Sequence, residues 1–175
     1  LNGTITGNAT LTKTSVGIGG QDITFAKIDK DGDPVWAKIE GNSSNCAANS
    51  ITVLKGKVIV GGYFFGSMIY NSISLIVPGT ANNMIFAEYN LDGTFNILRL
   101  TATAGDEFVQ SLTSDSRYFY VSGKYANNTD FGGTSSISSS SNNMFIACYD
   151  TLFNLKFVKL STGSSVSQVL SCSAN

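Results

Sequence analysis

The chain contains no histidine and little charge. Across 175 residues there are 11 Lys and Arg against 12 Asp and Glu. Charged residues make up 13%, about half of the ordinary share. Without histidine there is no Ser-His-Asp triad, no Cys-His dyad and no histidine-ligated zinc. A net charge of −1 leaves no electrostatic footprint for nucleic acid. No apolar run approaches the roughly 18 residues of a membrane span, and no stretch reads as a signal peptide. Sustained 3.6-residue periodicity with helix caps is also missing. No cofactor and no catalytic constellation is expected.

Cysteine is scarce and odd in number: Cys46, Cys148 and Cys172. One intrachain bridge is the most that three thiols can form. Three small, semi-buried residues are the plainer expectation, with a Cys148–Cys172 disulfide as the candidate pairing. There is no CxxC, and no cationic cluster lies beside any of them to activate a thiolate.

What the chain does have is hydrophobic residues, at 42%, and an equal share of Ser, Thr, Asn and Gly. The first figure argues against disorder. The length suffices for burying roughly 70% of the unfolded surface.

The residues repeat. Ile23-Thr24-Phe25-Ala26-Lys27-Ile28-Asp29, Met84-Ile85-Phe86-Ala87-Glu88-Tyr89-Asn90 and Met144-Phe145-Ile146-Ala147-Cys148-Tyr149-Asp150 share one pattern. Their alanines step by 61 and then 60 residues. Ile39, Leu100 and Leu160 keep the same steps, and Val60-Gly61-Gly62-Tyr63 stands 61 before Val121-Ser122-Gly123-Lys124. Each unit reads as four strands, the first two a hairpin turned by Asp29 to Pro34 or by Asn90 to Thr94. An Asp-Gly between β-rich runs is a strong hairpin signal because glycine tolerates positive φ. The third hairpin carries Thr151-Leu152-Phe153 with no glycine. The chain divides into 1–20 (terminal strand and linker), 21–80, 81–140 and a partial 141–175, together one repeat-built, all-β domain.

These residues resemble the bacterial SBBP-type β-propeller repeat. Gln21 to Asp29, Val35-Trp36-Ala37-Lys38 and Thr129-Asp130-Phe131-Gly132-Gly133 carry the likeness, which weakens in the third unit. The resemblance implies four-stranded antiparallel blades of about 60 residues and an extracellular or cell-surface setting. It implies no catalytic site. Propellers close with four to eight blades, and about three are present. Open edges recruit strands. A piece of a longer propeller, a ring closed by several chains and a head-to-tail fibre are all open, as is a sandwich or barrel of the same hairpins.

Several residue groups invite chemistry. Asp29, Asp31 and Asp33 have the alternate spacing of calcium ligands. The carboxylates fade in the later units while the turn persists, so a hairpin turn is expected. Trp36 echoes a blade-docking tryptophan and is expected to pack rather than to stack a ligand. Asp106-Glu107, the adjacent acid pair, is expected in a solvated loop rather than in glycoside hydrolysis. Tyr63-Phe64-Phe65, with Tyr118, Phe119, Tyr120 and Tyr125, is a candidate stacking face for carbohydrate, although at period two half of it faces a core. Asn2, Asn8, Asn42 and Asn127 open Asn-x-Ser/Thr glycosylation patterns.

The expected function is that of a non-catalytic, extracellular structural or adhesive β protein. It would self-associate as a homo-oligomer or as a head-to-tail filament built by strand addition. The alternative is a carbohydrate- or protein-binding propeller module of a larger secreted protein.

Overall fold

The computed structural model describes residues 2–6, 10–14, 20–41, 45–77, 81–101, 105–126, 128–132, 143–161 and 171–174, with backbone alone for 2–6 and 10–14. Strands β1 (Asn2–Thr6) and β2 (Thr10–Thr14) form one hairpin, and β3 (Ile23–Ile28) and β4 (Pro34–Glu40) a second. Then come β5 (Cys46–Leu54), β6 (Lys57–Phe65), the short pair β7 (Met68–Tyr70) and β8 (Ile73–Leu75), β9 (Asn82–Asn90) and β10 (Phe95–Leu100). The last four are β11 (Glu107–Ser114), β12 (Tyr118–Tyr125), β13 (Asn143–Asp150) and β14 (Leu155–Leu160). No helix occurs among the described residues, and so none long and apolar enough to cross a membrane.

Two four-stranded antiparallel sheets result, ordered β5-β6-β9-β10 and β11-β12-β13-β14. The fold is all-β, as the alternation of apolar and polar residues implies. Sheet membership, however, runs half a unit out of step with the sequence repeat. Strands β3 and β4 pair only with each other, while β5 and β6 join the next unit's hairpin, β9 and β10. The reason is local. Lys55 and Gly56, both at positive φ, turn β5 straight back onto β6. Between β4 and β5, Gly41 at φ 141° changes layer instead, and a Cβ there would meet the Asp22 carboxylate and the Cys46 sulfur.

The hairpins β3–β4, β9–β10 and β13–β14 share one turn. In each, the first residue's N–H donates to the carbonyl four positions on, and the fourth residue's N–H donates back to the first: Asp29 with Asp33 and Gly32, Asn90 with Thr94 and Gly93, Asp150 with Asn154 and Phe153. The fourth position needs positive φ, supplied at 91° by Gly32, at 85° by Gly93 and at 63° by Phe153. A bulge also recurs, between Ala48 and Ser50 in β5 and between Val109 and Ser111 in β11. Beside it, a Cβ on Gly62 would overlap the Ala47 carbonyl, and one on Gly123 the Phe108 carbonyl. The glycine column of the repeat is thus fixed by backbone approach.

The layers stack face to face. Ile23 and Phe25 of the β3–β4 hairpin pack on Val58, Val60, Ile85, Ala87 and Tyr89 of the first sheet. The opposite face of that sheet, with Leu54, Ile59, Met84 and Phe86, meets Val109, Leu112, Phe119, Val121, Phe145 and Tyr149 of the second. The short β7–β8 pair has no signature in the sequence pattern. It turns through Asn71 and Ser72, both at positive φ, and closes the first core with Met68 and Tyr70. Buried Tyr89 donates its hydroxyl to Tyr70 at 2.9 Å.

Candidate assembly surfaces

The groups with chemical potential in the sequence are mostly consumed by the fold. Asp29 Oδ1 accepts the N–H groups of Asp31 and Asp33, both at 2.9 Å, so the carboxylate caps its own turn. Among the described residues, no group of three His, Cys, Asp or Glu is placed to hold a metal. Trp36 donates its indole N–H to the Leu91 carbonyl at 3.0 Å and meets Phe25 edge-on. It ties the β3–β4 hairpin to the β9–β10 turn, which is a packing role.

Glu107 overturns the solvated-loop expectation. It opens β11 and is fully buried, accepting the Thr101 hydroxyl at 2.8 Å and the Thr129 hydroxyl at 3.0 Å. Asp106 accepts both the backbone and the side-chain N–H of Asn82. Two columns of the repeat explain why. Asn45 accepts from Gln21 as Asp106 accepts from Asn82, and Cys46 occupies the buried place of Glu107. Reading the acid pair in repeat register, 61 residues after Asn45-Cys46, would have marked Glu107 as interior.

All three cysteines are free thiols. Buried Cys46 donates to the Gln21 carbonyl, and burial pushes its pKa from 9.0 to about 11. Cys148 is also buried, and desolvation raises it too. Cys172 lies on Ser111, its N–H donating to the Ser111 hydroxyl at 3.2 Å. Asn8, Asn42 and Asn127 fall outside the described residues, and Asn2 starts β1. In the aromatic run, Phe64, Phe119 and Tyr125 enter the cores while Tyr63, Tyr118 and Tyr120 stay half-exposed. The Tyr63 and Phe108 rings lie 4.9 Å apart, with the Lys124 ammonium over Phe108.

Among the described residues, two incompletely covered surfaces bear on assembly. The first is the outer face of the second sheet. Met84 and Phe86 of β9 are 0% and 6% exposed, because the second sheet covers them. Their repeat counterparts on β13, Met144 and Ile146, are 37% and 39% exposed, and Phe157 beside them is exposed as well. Segment 171–174 lies at the inner edge of this face. Its Cys172–Ser111 hydrogen bond repeats that of Leu112, whose N–H donates to the Ser50 hydroxyl at 2.8 Å. Residues 171–174 therefore sit where the first strand of a further layer would begin. At the first sheet's bulge, Asn49 donates to the Val109 carbonyl of the next layer. At the second, Gln110 Oε1 is buried with no partner among the described residues.

The second surface is a groove beside β3. It is lined by Ile28 and Lys27 of β3, Trp36 of β4, Ile51 and Val53 of β5, and Leu91 in the β9–β10 turn. Its apolar side chains are conspicuously wet: Ile28, Ile51, Val53 and Leu91 are all exposed. Lys27 reaches across to donate to the Leu91 carbonyl. Among the described residues β3 is paired on one side, whereas β9 and β13 are each paired on both.

No family model matches the chain, and no curated protein matches it.

Proposed function

We propose that this chain is a non-catalytic structural β protein of an extracellular or cell-surface setting, whose sheets are propeller-type blades and whose terminal faces assemble head to tail with further copies. The likeness to the SBBP-type repeat supports the blade reading, as do the half-unit offset and the face-to-face stacking of the meanders. The observation that carries self-assembly is the contrast between Met84 and Phe86, buried by the next layer, and Met144 and Ile146, which are 37% and 39% exposed. Exposed apolar residues grouped on one face support this reading, because such patches mark interaction sites. A heterologous contact between tail and head extends indefinitely unless the rotation closes a ring.

Sedimentation velocity and negative-stain imaging over a range of concentrations test this. Rings or filaments are expected, dispersed by Ile146→Lys at an already exposed position. A monomer at every concentration overturns the assembly reading.

The half-exposed Tyr63–Phe108 pair beneath Lys124 favours a second reading, a carbohydrate-binding module. Aromatic faces flanked by a hydrogen-bond donor suit sugar rings. Glycan binding that disappears in Phe108→Ala would support it, and an array without hits would remove it.

A further inference from the structure

We infer that the open edge of β3, with the groove beside it, is an acceptor site for one extended strand having the side-chain alternation of β6 and β12. The inference rests on the repeat reading above, but on a different surface from the one that carries self-assembly. Its basis is that the same chain shows the site filled twice. Strand β9 is flanked by β6, and β13 by β12, in continuous antiparallel register. Strand β3 has the same sequence pattern and the same outer partner, in β4, but among the described residues no strand pairs with its inner side.

The groove next to that edge is the imprint of the missing strand. Leu112 in β11 is 6% exposed because it lies against β6: a Cβ on Gly61 would be 2.9 Å from Leu112 Cδ1. Its counterpart one unit earlier is Ile51, which is 48% exposed on the groove wall. Ile51 is the side chain that a strand alongside β3 would cover.

The register sets what the strand must carry. Ile59 pairs with Glu88, and Tyr120 with Cys148; the β3 residue in that column is Lys27. Gly61 pairs with Phe86, and Ser122 with Ile146; the β3 residue there is Phe25. The incoming strand therefore places a bulky apolar or aromatic residue opposite Lys27 and a glycine or serine, two residues later, opposite Phe25. The small residue leaves room for Ile51, as Gly61 leaves room for Leu112. Main-chain hydrogen bonds to the edge supply affinity, and this bulky-x-small alternation supplies selectivity. A larger side chain at the small position would collide with the groove wall.

The probe is a synthetic peptide with the sequence of Tyr118–Tyr125, added to the intact 175-residue chain. Amide hydrogen exchange is followed along β3, and Trp36, the sole tryptophan, reports from the groove by fluorescence. Slowed exchange within Ile23–Ile28 and a shift in Trp36 emission are expected. The same peptide carrying Ser122→Leu should bind at least tenfold more weakly. Ile51→Asp in the chain, at an exposed position, should abolish binding without lowering the melting temperature. Protection of the β5, β10, β11 or β14 edges instead of β3 would overturn the inference, as would indifference to Ser122→Leu or no binding at all. A chain that binds the peptide yet stays monomeric would leave the acceptor site standing and remove the assembly proposal. A chain that assembles but ignores the peptide would do the reverse.

Discussion

Phe153 holds, in the β13–β14 turn, the left-handed backbone conformation that Gly93 holds in the β9–β10 turn, at φ 63° against 85°. The conformation costs a residue with a Cβ about 1 kcal/mol or more. The Phe153 ring offsets that cost by packing edge-on to Phe119 at 5.1 Å and beside Phe86. At Gly93 the exchange is unavailable, because a Cβ would lie 3.0 Å from the Trp36 ring.

Phe153→Ala removes the ring and keeps the backbone penalty, whereas Phe153→Gly removes both. Both variants should be less stable than the parent, and the glycine variant should be the more stable of the two by about 1 kcal/mol in urea unfolding. That order reverses the usual preference for alanine. Gly93→Ala should cost about 1–2 kcal/mol. Equal stability of the two Phe153 variants would refute the strain account.

Glu107→Ala should be among the most damaging single changes, at about 2–4 kcal/mol, since it removes the buried acceptor shared by the Thr101 and Thr129 hydroxyls. Glu107→Gln keeps an acceptor and should cost less. Urea titration of both variants checks the ranking. A surface glutamate would show neither effect.

The thiols should separate by reactivity. Cys172 is part-exposed and should react first with a disulfide reagent in the folded chain. Cys46 is enclosed and its thiol is held up near 11, so it should stay unreactive until unfolding. Mass mapping of the labelled sites reads this directly, and a Cys148–Cys172 bridge in oxidised protein would contradict it.

Acid should weaken the fold through its turns. Burial works against the charged form of Asp150, but Lys156 at 2.7 Å and the Asn154 and Leu152 donors outweigh it and hold the carboxyl well below 3.8. Asp92, accepting from Thr94, and Asp115, accepting from Arg117 and Tyr118, are lowered as well. A carboxylate lowered in the folded state stabilises above its unfolded value and loses that contribution as pH falls below it. Urea midpoints should drop between pH 5 and pH 2, and Asp150→Asn should drop less than the parent.

The hairpins, their turns and the all-β architecture were legible because they are local. Asp-Gly and Asn-x-x-Gly turns and period-two alternation lie within reach of one segment's own residues, and the 61- and 60-residue steps repeat that local pattern along the chain. Sheet membership was not legible, because the repeat registers sequence position and is silent on where the chain changes layer. Gly41 makes that change, and its crowding against Asp22 and Cys46 exists only after folding. The burial of Glu107 is hidden in the sequence for a related reason. A carboxylate reads as surface until the two threonine hydroxyls that satisfy it, from either side in sequence, are brought together. The short β7–β8 pair escaped because three-residue strands carry almost no periodicity.

The offset between repeat and sheet has a consequence for changing the length of such a chain. Every 60-residue unit contributes its first hairpin to one layer and its second pair of strands to the next, so each unit is a splice across a layer boundary. A deletion or graft cut near residue 80 severs a sheet between β6 and β9. A cut within 101–106 passes between finished sheets. Units can thus be duplicated or removed only in phase with the layers, and a chain cut in phase with its sequence repeat would expose two broken half-sheets instead of one clean face.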